Sequence, residues 1–228
     1  IARTEGSYPL YYVRERLTEA RLNLGDLGFY SFTDGEKQTV RDIVAEEATM
    51  HFGDKPVNYC GLEGPTFGSF FTFAQVLTFR ELLLPERDKR NYNIMNQIRR
   101  LRLKEYLNGN SLSQAEIVHN TAEEALRSTD KTFYFIFLDW LGHLCPTYVR
   151  ELELANSHLS EDGMIAATIN QNAVSEKRFQ RHMGTTTTQN QYFREWTSEH
   201  KMSLQDLAYT GGDKIKTPMG IYVMKRSI

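Results

Sequence analysis

Residues Val57–Leu84 read VNYCGLEGPTFGSFFTFAQVLTFRELLL. A short apolar run, Val57–Gly61, passes through the turn-forming LEGPTFGS into an apolar helical stretch from Ser69 to about Thr78. A second apolar run, Glu81–Leu84, then ends in PERD. Strand, loop, helix and strand at this spacing form one βαβ unit, whose two strands lie parallel because the helix carries the chain back over the sheet.

The same texture continues downstream. A basic helical stretch, Lys89–Leu107, stops at Asn108-Gly109-Asn110, and Ala115–His119 is the third strand. Phe133–Leu138 (FYFIFL) is the fourth, ending in Asp139. Pro146–Asn156 reads as a helix and Gly163–Ile169 as the fifth strand. Helical stretches follow around Glu176–Met183 and Asn190–His200, joined by Gly184–Thr188 (GTTTT). Two final runs, Leu204–Tyr209 and Gly220–Lys225, are joined by TGGDKIKTPM, too short for a helical crossover, so they pair antiparallel. The expectation is an α/β fold: a doubly wound, mostly parallel, seven-stranded sheet with a C-terminal antiparallel hairpin.

Upstream of Pro56 the periodicity is helical. Leu10, Val13, Leu17 and Ala20 mark one helix within Tyr8–Leu24. Val40, Ile43, Val44 and Ala48 mark a second, beginning after Thr33 or Asp34 and ending at Gly53. Residues 1–55 are therefore set apart as an N-terminal helical extension, with residues 56–228 as the α/β domain.

Composition narrows the function classes. The chain has 228 residues, 27 Lys and Arg against 29 Asp and Glu, and a formal charge of −2. A protein coating nucleic acid or anionic membrane over its whole surface would be far more basic, so any such contact must be local. Two cysteines, Cys60 and Cys145, cannot make a disulfide framework and lack zinc-knuckle spacing, so no metal centre and a reducing, cytoplasmic setting are expected. The longest apolar stretch, Thr132–Pro146, is broken by Asp139 and His143 and is too short to span a bilayer.

Open α/β sheets bind ligands beyond the carboxyl ends of their strands, where strand order reverses. The residues that follow each strand are therefore the candidates: Gly61, Glu63 and Gly64 after the first, Glu86 after the second, Asn120 or Thr121 after the third, and Asp139 to His143 after the fourth. The glycines allow close backbone approach. Glu86, 23 residues beyond Glu63, can accept hydrogen bonds from both hydroxyls of a ribose. Asp139 is a charge that a nearly all-apolar strand does not itself require. A histidine's unperturbed pKa lies near neutrality, so His143 can serve as a base.

With these positions and the terminal hairpin, the chain from Pro56 onward resembles the class I, Rossmann-like S-adenosylmethionine-dependent methyltransferases. The resemblance implies S-adenosylmethionine as cofactor. The loop with Gly61, Glu63 and Gly64 would hold its methionine part, Glu86 its ribose and Asn120 or Thr121 its adenine, while Asp139 would touch the cofactor and, with His143, face the methyl acceptor. The first loop here reads CGLEGPTFG, and DWLGH stands where amino-group methyltransferases of DNA carry (Asp/Asn)-Pro-Pro-(Tyr/Phe).

Between Arg80 and Lys104 eight basic residues face three acidic ones, a local balance of +5. Arg99, Arg100, Arg102 and Lys104 could therefore follow a phosphate backbone, which makes RNA or DNA the leading acceptor and a small molecule the next. The competing readings are a catalytically silent binding subunit on the same fold and a nicotinamide-dependent Rossmann enzyme. The absence of GxGxxG and the terminal hairpin speak against the last.

Overall fold

The computed structural model describes residues 35–65, 67–100, 110–140, 142–209 and 219–226. The expected helix in Tyr8–Leu24, the Thr33 or Asp34 cap, Arg102, Lys104 and the loop between the last two strands lie outside the described residues.

Helix α1 (Gly35–Phe52) ends at Gly53, whose φ of 56° lies in the left-handed region that glycine adopts without strain. Then come β1 (Val57–Gly61), α2 (Gly68–Phe73), β2 (Phe79–Pro85), α3 (Lys89–Arg100), a 3-10 turn (Leu112–Gln114), β3 (Ala115–Val118), α4 (Ala122–Arg127), β4 (Phe133–Asp139), α5 (Pro146–Ser157), β5 (Leu159–Asn170), α6 (Ala173–Met183), α7 (Gln189–Glu199), β6 (Met202–Tyr209) and β7 (Met219–Arg226). The strands are ordered β3-β2-β1-β4-β5-β7-β6 in a seven-stranded sheet. All strands named by the sequence are present. α2 is shorter than expected, and α4 is an addition.

The chain divides into two compact units. One takes in the described residues up to Pro56 together with Glu63–Asn120. In it β2 and β3 pair in parallel, from Leu82 opposite Ala115 to Pro85 opposite Val118. Val40, Val44 and Ala48 of α1 are buried as their spacing predicts, whereas Ile43 is half-buried. α1 is bonded to α2: Gln38 Nε2 donates to Thr72 Oγ1 at 3.0 Å, and Arg41 Nε donates to Ser69 Oγ at 3.3 Å. Asn110 is 2% exposed. Its side chain accepts from Phe79 N and donates to the carbonyls of Ala74 and Leu77, closing the turn that feeds β2.

The other unit comprises Val57–Leu62 and the chain from Thr121 onward. β1 pairs in parallel with β4, and β4 in parallel with β5. β5 pairs antiparallel with β7, which in turn pairs antiparallel with β6. β4 is the central strand, and Phe133, Phe135, Ile136, Phe137 and Leu138 are all buried. Burial on both faces is why its sequence is a continuous apolar run without alternation.

Candidate functional site

Strand order reverses between β1 and β4, whose carboxyl ends are Gly61 and Asp139. Leu62 N donates to Phe137 O at 3.0 Å, so the pairing continues one residue past β1. Both strand ends belong to the second unit.

Asp139 is half-buried and directly opposite Thr168 across the β4/β5 pair. Thr168 is fully buried, and its hydroxyl donates to Asp139 Oδ1 at 2.7 Å. One carboxylate oxygen is thereby oriented by the sheet. Trp140, the next residue, turns into the core: it stacks on Tyr148 with ring centroids 4.7 Å apart and donates from Nε1 to Glu151 Oε2 at 2.8 Å.

The loop after β4 is tied down by a residue the sequence did not single out. Gln189 is fully buried, and its Oε1 accepts from Leu144 N at 2.6 Å. Its Nε2 donates at 3.1 Å to both Asn170 O and Glu176 Oε1, while its backbone N donates to Glu176 Oε2. Asn170 N also donates to Gly142 O at 2.8 Å. The carboxyl ends of β4 and β5 and the return from α6 are thus joined around one side chain. The only local trace is that Thr188 caps α7, its hydroxyl accepting from Gln191 N.

His143, in this loop, meets His182 of α6, with Nε2 and Nδ1 3.0 Å apart. Burial first, then His182 and Arg178, hold the His143 imidazole below its ordinary pKa, which favours the neutral ring needed of a base.

Gly61 has a different reason from the one expected. A Cβ there would fall inside the ring and hydroxyl of Tyr59, which shares its face of β1 and is fully buried. The glycine is demanded by the protein's own packing. We expect Gly61→Ala to destabilise the fold by about 1–3 kcal/mol, the range for overpacking. Tyr59→Leu in the same chain should recover part of that loss in thermal unfolding; no recovery would show that Tyr59 is not the obstacle.

In the first unit, Glu63 is buried at 4% exposure and Gly64 accepts from Phe67 N at 2.9 Å. Phe67 itself has φ 50°, an unusual conformation for an aromatic residue, and its buried ring holds it there. Glu86 follows β2. Its Oε1 accepts from Asp88 N at 2.7 Å and its Oε2 from Asn91 Nδ2 at 3.3 Å. Burial, the largest influence, pushes its pKa up despite those bonds.

Of the two candidates after β3, Asn120 makes no side-chain hydrogen bond among the described residues. Thr121, by contrast, is the N-cap of α4 in a capping box: its hydroxyl accepts from Glu124 N, and Glu124 Oε2 accepts from Thr121 N. The TAEE pattern is the signature of that box. Arg99 Nη1 donates to Ala115 O at 2.9 Å, tying α3 to β3, while Arg100 is exposed. Cys60 is buried and its thiol is pushed up to about 12, so it is inert; Cys145 is half-buried and free. No helix among the described residues is long and apolar enough to cross a membrane.

The fold is shared with solved structures. The O-methyltransferase from Bacillus cereus, solved in complex with SAH, matches with a TM-score of 0.61 over 98% of this chain and 93% of that one, at 14% identity. The fold is that of the class I methyltransferases. An rRNA methylase from Streptococcus thermophilus matches with a TM-score of 0.53 over 83% of this chain and 95% of that one, at 12% identity. No family model matches the sequence, and no curated protein does. The C-terminal antiparallel hairpin expected from the sequence is present as β6 paired with β7, and the structure adds that β7 lies between β5 and β6.

Proposed function

We propose that this chain is an S-adenosylmethionine-dependent methyltransferase acting on a nucleic acid in a reducing, cytoplasmic setting, with a small molecule as the next acceptor class. The observation that carries the reading is Asp139: a half-buried carboxylate at the carboxyl end of the central strand, beside the strand-order reversal, with one oxygen held by a buried hydroxyl. That is where an open α/β sheet presents its reacting groups.

Glu86 fits the ribose role. Its carboxylate is partly desolvated and its oxygens have acceptor capacity beyond Asp88 N and Asn91, so two hydroxyl donors would offset the burial that raises its pKa. Gly61, Glu63 and Gly64 would line the methionine side. Asn120, whose amide is unengaged among the described residues, is better suited to adenine than Thr121. The cofactor supplies an electrophilic methyl group on a sulfonium. Asp139 orients the acceptor and takes up its proton, with neutral His143 as auxiliary base, and the gain comes chiefly from alignment. Arg99, Arg100, Arg102 and Lys104 are proposed as phosphate contacts on α3 and beyond it.

The test is calorimetric titration with S-adenosylmethionine and S-adenosylhomocysteine, followed by transfer of a labelled methyl group to RNA, DNA and protein. Glu86→Gln should weaken cofactor binding by about 10- to 100-fold, the loss of a charge-assisted hydrogen-bond pair. Only ionised Glu86 accepts both hydroxyl bonds, so wild-type affinity should fall as pH drops through a value above the ordinary carboxylate range of about 4.3. Glu86→Gln should be flat over that window. Absence of heat with either ligand would instead favour the silent binding subunit, a reading supported by Gly61 answering to Tyr59.

A further inference from the structure

Helix α6 presents a basic face at the rim that carries Asp139. Lys177, Arg178 and Arg181 are exposed, and none forms a salt bridge among the described residues. The helix's own acid, Glu176, is engaged by Gln189 through both carboxylate oxygens. Ser175 and Phe179 face inward, and Val174, 58% exposed, lies on the outer side with the cations.

Both ends of α6 are fastened to the carboxyl edge of the sheet. It starts from Asn172, two residues past the end of β5. At its far end His182 bonds to His143, and the chain returns through Gln189 to Leu144 and Asn170. The helix therefore runs along that edge, a course of about 16 Å for its length. Residues three and four apart on a helix are about 5–6 Å from one another. Lys177, Arg178 and Arg181 thus form a short track of positive charge, better matched to successive phosphates of a chain than to a single small anion.

We propose that the outer face of α6, through Lys177, Arg178 and Arg181, binds the phosphodiester backbone of a nucleic-acid acceptor and leads it to Asp139. This rests on the methyltransferase reading for its purpose, but the binding is measurable without it. The probe is a fluorescein-labelled single-stranded RNA oligonucleotide, followed by anisotropy across a salt series, with DNA of the same sequence as a second arm.

The triple variant Lys177→Gln, Arg178→Gln and Arg181→Gln should bind at least about tenfold more weakly. The slope of log affinity against log salt should become shallower by about 2, at roughly 0.7 per phosphate contact on a single strand. Its thermal unfolding should match the wild type, since these side chains are exposed and form no salt bridge among the described residues. Unchanged affinity and slope would overturn the proposal. So would displacement of the RNA by poly-glutamate, or by phosphatidylserine vesicles, as effective at equal charge as displacement by unlabelled RNA. If the triple variant loses RNA while the wild type gives no heat with S-adenosylmethionine, the track stands and the enzyme reading falls. Cofactor binding with an RNA affinity indifferent to the variant gives the reverse.

Discussion

Asp139→Ala is expected to slow methyl transfer by about 10²- to 10⁴-fold, the range for removing a positioned acid–base group. Cofactor binding by calorimetry should stay within a few-fold of wild type. The separation follows from geometry. Asp139 ends β4, and its Oδ1 is held by the fully buried Thr168 hydroxyl, so the other oxygen is left to meet a substrate. Thr168→Val keeps the shape but removes that donor. It should cost a smaller factor in single-turnover transfer, because the carboxylate loses the bond that orients it. Thr168→Ser should restore the rate. An Asp139→Ala enzyme within threefold of wild type would end the assignment.

The largest expected effect on stability comes from Gln189→Leu. The substitution preserves volume, so little cavity forms, but it strips partners from Leu144 N and Asn170 O and removes an amide donor from Glu176. Leu144 is fully buried, and each buried group left unsatisfied costs about 1–3 kcal/mol. At about 2–4 °C per kcal/mol for a chain of this size, thermal unfolding should fall by about 5–15 °C. Amide exchange at Leu144 should rise ahead of the rest of β4. A shift below 2 °C with unchanged exchange would show that Gln189 merely fills space.

These two predictions differ in how far the sequence pointed to them. Asp139 was legible because an acid at the end of FYFIFL is anomalous against a strand buried on both faces. Its partner Thr168 was not, since the pair is 29 residues apart and meets only through the β4/β5 register. Gln189 follows a polar GTTTT run that reads locally as a loop. Its importance lies in three long-range bonds. Thr121 shows the opposite case: TAEE announces a helix cap, and reading it as a ligand contact overlooked the local bond it makes with Glu124. Gly61 was noticed for its flexibility, whereas its neighbour Tyr59, two positions back and therefore on the same face, supplies the reason.

The sequence by itself determined the elements: which runs form strands, which stretches coil, and that the last two strands run antiparallel because no crossover separates them. These follow from local periodicity, turn chemistry and chain length, each acting over a few residues. Only the tertiary structure decided that β7 lies between β5 and β6, that β1 and β4 are neighbours at the strand-order reversal, and that α6 is fastened through His182 to the loop after β4. Strand order and helix placement are set by long-range packing and register, where the energy of one pairing depends on all the others. No short window of sequence carries that information.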